Sequence, residues 1–147
     1  MAIFHLSARP PIARASGRSA TAAAAYRAGA LICDERTGLV FDYRRRKGVL
    51  DARIHLPGGR LVRDRQQFWN GVEVHHRRRD AVLAREVVLA LPSELDADER
   101  AALAFGFSRE IAQEFGVGVD CALHAPSRGG DDRNFHAHLL LTACTVD

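Results

Sequence analysis

Lysine is all but missing from this chain of 147 residues. Lys47 is the only one, so nearly all of the 21 basic side chains are arginine, against 18 acidic ones and a net charge of +3. A planar guanidinium matches phosphate oxygens better than a point charge does, which leans towards nucleic acid. Cysteine is scarce too. Cys33, Cys121 and Cys144 are widely spaced, form no CxxC pair and are odd in number. That argues against a disulfide framework and for a reducing, cytoplasmic setting. No apolar run approaches the length of a membrane-spanning helix, and the first residues lack the basic start and long apolar core of a signal peptide. Internal repeats, low-complexity segments and interdomain linkers are likewise lacking. With 47% hydrophobic residues, residues 1–147 read as one domain around a single core.

The order of elements follows from caps and breakers. Residues 2–8 read as a strand, stopped by Pro10 and Pro11, with residues 12–18 as a basic loop. Ser19 is placed to cap an alanine-rich helix over residues 20–28, closed by Gly29. Residues 31–33 and 39–43 flank a turn and predict a hairpin. Residues 53–56 predict a short strand. Asp64 caps a helix running to about Arg79, with Phe68, Val72 and His75 on its apolar side. Residues 81–91 form a strand ended by Pro92. Asp96 and Glu99 form a capping box for a helix to Phe115, stopped by Gly116. Its apolar side is expected to be Leu103, Phe107, Ile111 and Phe115. Two apolar runs then surround a Pro/Gly/Asp-rich turn. The pattern predicts an α+β fold with a sheet and helices packed on it.

The chemistry centres on that last pair of runs. If the final run is a strand, alternation puts His136 and His138 on one face. His124 ends the preceding run and, across a hairpin, lies beside them. Three imidazoles with an open position suit structural zinc, a hydrolytic centre or a Lewis acid for phosphoryl transfer. The plain alternative is half-buried strand histidines with hydrogen-bonded rings. Tyr26 is either a nucleophile activated by its surroundings or a core tyrosine. Glu86 shares a strand face with Ala84, Val88 and Ala90. It needs a partner there, either the second N–H of a metal-bound histidine or an arginine in an edge-strand ion pair. Two basic clusters, Arg44–Arg45–Arg46–Lys47 and Arg77–Arg78–Arg79, suit a phosphate backbone or are solvated surface. Tyr43 is placed to stack on a base.

Taken together, these residues resemble the MobA/MobL group of plasmid mobilisation relaxases, in the histidine–hydrophobic–histidine endonuclease superfamily. The resemblance rests on an ordered set covering nearly the whole chain. It includes the opening Met1–Ser7, Ser16 to Ala20 with Ala25 to Gly29, Asp34 to Gly38, and Asp42–Tyr43. Ala84–Arg85–Glu86, Leu89 to Pro92, His124–Ala125–Pro126 and Asn134 to Leu140 complete it. It implies a relaxase-like fold with a central, mainly antiparallel sheet and flanking helices. It also implies site- and strand-specific nicking and rejoining of single-stranded DNA at a transfer origin. Tyr26 would form a 5′-phosphotyrosyl link, and His124, His136 and His138 would hold a divalent cation, with Mg²⁺ or Mn²⁺ expected. Glu86 would orient a ligand histidine or help with the tyrosine proton. Arg18, Arg27, Tyr43, Arg44, Arg45, Arg46, Lys47, Arg77 and Arg78 would contact DNA. Relaxosome proteins and a type IV secretion coupling protein are the implied partners. The tyrosine precedes the histidine pair, as in conjugative relaxases and unlike replication initiators. Domains of this kind continue with more sheet and helix, so the stop at Asp147 reads as a trimmed or degenerate fragment. The competing expectations are a non-catalytic, metal-stabilised DNA-binding fragment and a water-using metal-dependent nuclease.

Overall fold

The structure is a computed structural model that describes residues 5–146. The central sheet gathers β1 (His5–Ala8), β2 (Ile12–Ala13), β5 (Val49–His55), β6 (Leu61–Val62), β7 (Val82–Leu91), β8 (Val119–His124) and β9 (Phe135–Thr142). Its order is β1-β7-β9-β8-β5-β6, with β2 also on β7, and every described pairing is antiparallel. A separate hairpin, β3 (Leu31–Cys33) with β4 (Val40–Asp42), lies outside this sheet. Three helices flank the sheet: α1 (Ala20–Ala28), α2 (Arg65–His75) and α3 (Ala97–Phe115). The expected α+β architecture is therefore present.

Alternation along the strands gives the sheet two apolar faces. On β9, Leu140 joins the alanines of α1 and Trp69 and Val72 of α2 in one core. Ala137 and Leu139 point the other way, into a second core with Ala104, Phe105 and Ala112 of α3. His136 and His138 alternate with the second set and so lie on the α1 side.

The helix ends are set by local chemistry. Ser19 accepts a hydrogen bond from the Ala22 N–H at 3.2 Å, and Gly29, at φ 62°, donates its N–H to the Ala25 carbonyl. Asp96 and Glu99 make the full reciprocal capping box of α3. Gly29 also sits where an added Cβ would come 3.2 Å from Val49 Cγ2. A left-handed conformation costs a non-glycine residue about 1–2 kcal/mol. Gly29→Ala is expected to lower stability by at least that amount, read as a shift in urea midpoint at unchanged slope.

Several expectations change. Of the first predicted strand, residues 2–4 lie outside the described residues. Residues 12–16 are not a free loop: β2 pairs with β7, and a 3₁₀ turn follows. The strand expected at 53–56 begins at Val49. The second helix ends at His75 rather than near Arg79, and its buried residues are Trp69, Asn70, Val72 and Glu73, with His75 exposed. On α3 the buried residues are Ala104, Phe105, Ser108 and Ala112. Of the expected side, Leu103, Phe107 and Ile111 are half-buried and pack against the edge of this core, whereas Phe115 is 64% exposed. The small Ala and Ser residues face the sheet because they let the helix approach it closely.

Buried charge anchors α1. Glu73 of α2 is 2% exposed. It accepts the Ala20 N–H at 2.7 Å and Arg14 Nη2 at 2.8 Å. It thereby satisfies a free donor at the positive end of the helix. Thr21 donates to buried Asp34 at 3.0 Å. The tyrosine helix is thus held at its N-terminus by two carboxylates from other elements.

Candidate functional site

The β8–β9 register sets His124 opposite His136 and places His138 opposite Ala122. The three ring centroids lie 4.5–5.2 Å apart. One nitrogen of each ring falls within 4.8 Å of the others. Among the described residues this is the one group of His, Cys, Asp and Glu side chains so disposed. Two of the rings have a fixed tautomer, because a carbonyl can only accept. His124 Nε2 donates to the Arg27 carbonyl at 2.8 Å, and His136 Nδ1 donates to the Asn134 carbonyl at 3.0 Å. A lone pair is left on His124 Nδ1 and on His136 Nε2. His138 Nδ1 is buried without a hydrogen bond and lies 3.5 Å from Glu86 Oε2. Outer groups that fix the rings in this way are a regular feature of histidine metal ligands. The donor set therefore fits a divalent cation.

Burial, reinforced by the positive charge of Arg46, pulls His124 and His138 down to about 4. Burial also lowers His136 and, on the α3 side, His55. At neutral pH the triad is uncharged, the form that binds metal. Each folded-state value lies below the ordinary 6.5 of histidine, so protonation favours the unfolded chain. The metal-free protein is expected to hold full stability above about pH 6.5. It should lose stability as the pH falls towards about 4. Thermal unfolding with EDTA across this range tests the sign; a midpoint that rises on acidification contradicts it.

Glu86 is 5% exposed on β7. That strand has neighbours on both sides, so the expected edge-strand ion pair is not an edge feature. Both anticipated partners are nonetheless there: Glu86 Oε2 accepts from Arg27 Nε and faces His138. Tyr26 is 45% exposed, unlike a core tyrosine. Its ring meets Tyr43 edge-on at 5.2 Å, and the Arg46 guanidinium carbon lies 3.9 Å over it. Arg46 Nη1 also donates to the Tyr26 carbonyl at 2.6 Å.

The structure brings together only part of the expected cationic set. Arg46 and Lys47 line a cavity of about 290 Å³ with His124, His136 and Arg128. Arg27 is turned inward, its side chain 15% exposed and held by Glu86. Burial, with Arg18 and Arg46 adding to it, lowers Arg27 to about 10. Arg44 is paired with Asp42 at 2.8 Å, and Arg45 is exposed. Arg77 and Arg78 follow Glu73 at the opposite end of α1, beside His75 and His76. Arg78 pairs there with Asp80. Sequence reasoning passed over His5, Arg9 and Arg128. His5, Ser7 and Arg9 line a second cavity of about 330 Å³ that reaches His136 and His138. The row His5–Ala90–His136 across β1, β7 and β9 creates it. Only the positive charge of Arg9 just after the first strand hinted at this.

A histidine triad on the inner strands of an antiparallel sheet, with a tyrosine at the end of the helix above it, defines a relaxase-like α+β fold. The sequence profile of the MobA/MobL family matches residues 18–147, and the chain belongs to that family. It is 52% identical over 167 residues to the mobilization protein MobL of Acidithiobacillus ferridurans, covering 99% of this chain and 44% of that protein. It is 36% identical over 149 residues to a probable mobilization protein MobA of Bifidobacterium longum, covering 100% of this chain and 26% of that protein. The chain thus spans less than half the length of these relatives. A solved structure described as "Molecular Basis of Vancomycin Resistance Transfer in Staphylococcus aureus" superposes with a TM-score of 0.86 at 30% identity. The match covers 99% of this chain and 73% of that one. Among the described residues no helix is long and apolar enough to cross a membrane.

Proposed function

We propose that this chain is a relaxase domain that nicks and rejoins one DNA strand at a plasmid transfer origin, with Tyr26 as the nucleophile. The observation that carries the reading is the seating of the tyrosine helix on the histidine triad. The residue after Tyr26 contacts His124 through its carbonyl and reaches towards His138 through Glu86. In the proposed reaction the Tyr26 oxygen bonds to the scissile phosphorus and the bond to the 3′ oxygen breaks. The phenolic proton is released, and the departing oxygen takes up a proton to become a 3′-hydroxyl. One phosphodiester replaces another, so no nucleotide cofactor is consumed. Mg²⁺ or Mn²⁺ held by His124, His136 and His138 would act as a Lewis acid on the non-bridging phosphate oxygens. In this reading Glu86 serves as the acceptor that orients His138, since its Oε2 lies 3.5 Å from that ring and already accepts from Arg27.

The DNA strand is proposed to cross the triad between the two cavities, with Arg46, Lys47 and Arg128 on one side and Arg9 on the other. Tyr43 braces the nucleophile, and Arg18 and Arg45 add exposed charge. Arg77 and Arg78 would meet DNA only well away from the scissile phosphate. Affinity should fall steeply with salt. Relaxosome proteins and a secretion coupling protein are the proposed partners in a cytoplasmic setting.

A denaturing gel tests the reading. Labelled single strands spanning candidate origins are incubated with Mg²⁺ or Mn²⁺, with an EDTA arm. A metal-dependent band of protein joined to DNA is expected. Cleavage without an adduct would assign the domain to the water-using nucleases, and neither product on a verified origin would leave a binding fragment.

A further inference from the structure

Arg27 is in the last turn of α1, where the final carbonyls lack partners within the helix. Its own carbonyl accepts the His124 Nε2–H at 2.8 Å. Its guanidinium turns the other way. Nη1 donates to the Ala23 carbonyl at 3.1 Å, fixing the arm along the helix, while Nε donates to Glu86 Oε2. That same oxygen is 3.5 Å from His138 Nδ1, a buried nitrogen with no other partner. The side chains of Arg27 and Glu86 are 15% and 6% exposed. One residue thus touches the surroundings of two of the three histidines, by main chain and by side chain. It follows directly on Tyr26.

We propose that Arg27 is a positioning residue that couples the metal site to the nucleophile's helix. The inference rests on the proposed reading of the triad as a metal site. Arg27 fixes where the Glu86 carboxylate sits, and Glu86 fixes the His138 ring. In the opposite direction, a cation gripping His124 and His138 holds the end of α1, and with it Tyr26. Binding linkage requires the two effects to be reciprocal. A second role, as a phosphate-contacting cation, conflicts with this geometry because the guanidinium faces inward.

The sign of one measurement separates this from simple electrostatics. Removing a nearby positive charge should by itself tighten cation binding. Removing a positioning group should weaken it, by about 10-fold or more for outer partners of metal-bound histidines. Mn²⁺ is titrated by calorimetry into the DNA-free protein and into the Arg27→Gln, Arg27→Lys, Glu86→Gln and doubly substituted Arg27→Gln/Glu86→Gln variants. Arg27→Gln is expected to weaken Mn²⁺ by about 10-fold, with Arg27→Lys recovering part of the loss. In the Glu86→Gln background the same change should add less than about twofold, because its side-chain effect runs through that carboxylate. Unfolding midpoints of the metal-free variants check that each folds. Unchanged or tighter Mn²⁺ binding in Arg27→Gln overturns the proposal, as does a full additional loss in the double variant. Failure of the nicking reading looks different: no adduct forms with the unaltered protein, while Arg27→Gln still weakens Mn²⁺.

Discussion

Tyr26→Phe is expected to abolish the covalent protein–DNA band and to lower strand cleavage by about 10⁴-fold or more, the scale seen when a covalent nucleophile is deleted. The substitution removes a single oxygen from a ring that is 45% exposed, so the fold should be untouched. The edge-on packing on Tyr43 and the Arg46 guanidinium over the ring need only the aromatic face. Metal binding to the triad should be equal in the two proteins, which separates lost chemistry from a lost site. Tyr43→Phe is the matched control. It keeps the neighbouring ring and should keep the adduct, with a modest loss of rate if the hydroxyl steadies the DNA. Adduct formation that survives in Tyr26→Phe but vanishes in Tyr43→Phe would move the nucleophile to the hairpin. Cleavage that survives in both would make water the attacking group.

The largest expected effect on stability comes from a residue remote from the chemistry. Glu73→Ala should cost about 3–5 kcal/mol, because it leaves a buried cation without its counter-charge. Arg14 Nη2 loses a carboxylate at 2.8 Å, and the Ala20 N–H at the start of α1 loses its acceptor at 2.7 Å. Arg36, whose Nε lies 3.9 Å from the same carboxylate, loses a weaker partner. Against a typical total of about 5–15 kcal/mol, such a loss brings a small domain close to unfolding. Glu73→Gln keeps an acceptor for the helix N–H and should cost less. Urea unfolding of both variants gives the comparison. A loss below about 1 kcal/mol for Glu73→Ala would mean that Arg14 is held by its main-chain partners alone. Those partners exist, since Arg14 also donates to the carbonyls of Glu73, His76 and Arg78.

What was legible in the sequence was what local rules decide. Ser19 and Gly29 bracket α1, and Asp96, Glu99 and Gly116 bracket α3, because caps act within one turn of chain. The HxH spacing of His136 and His138, and the turn before it, predicted the hairpin that sets His124 opposite His136. Long-range pairing was not legible. Arg14 read as loop because its partner, Glu73, is 59 residues away. Arg27 read as a DNA-facing cation because nothing local shows that a helix will seat it over Glu86. His5 received no assignment, since only the β1–β7 register brings it within a strand of the triad. On α3 the spacing of Leu103, Phe107 and Ile111 located the flank of the buried side, whereas its centre is Ala104, Phe105, Ser108 and Ala112. The expectation for α2 overlooked Trp69, which is fully buried and donates to Asp120 at 2.9 Å.

The position of β9 has a consequence for how the protein is made. It is translated after both of its neighbours, yet it lies between β7 and β8 in the finished sheet. Until Thr142 leaves the ribosome, both neighbours present an unpaired edge. At about 5–20 residues per second, the interval from Leu91 to Thr142 lasts roughly 3–10 s. During that time the ten-residue β7 is an open template for pairing with another nascent chain. The same order gives a safeguard: Tyr26 emerges early, but the histidines that would complete its proposed site emerge well after it. A ribosome-bound chain in that interval therefore carries the proposed nucleophile without a complete histidine triad, and gains the proposed DNA-engaging site only once β9 has emerged and paired.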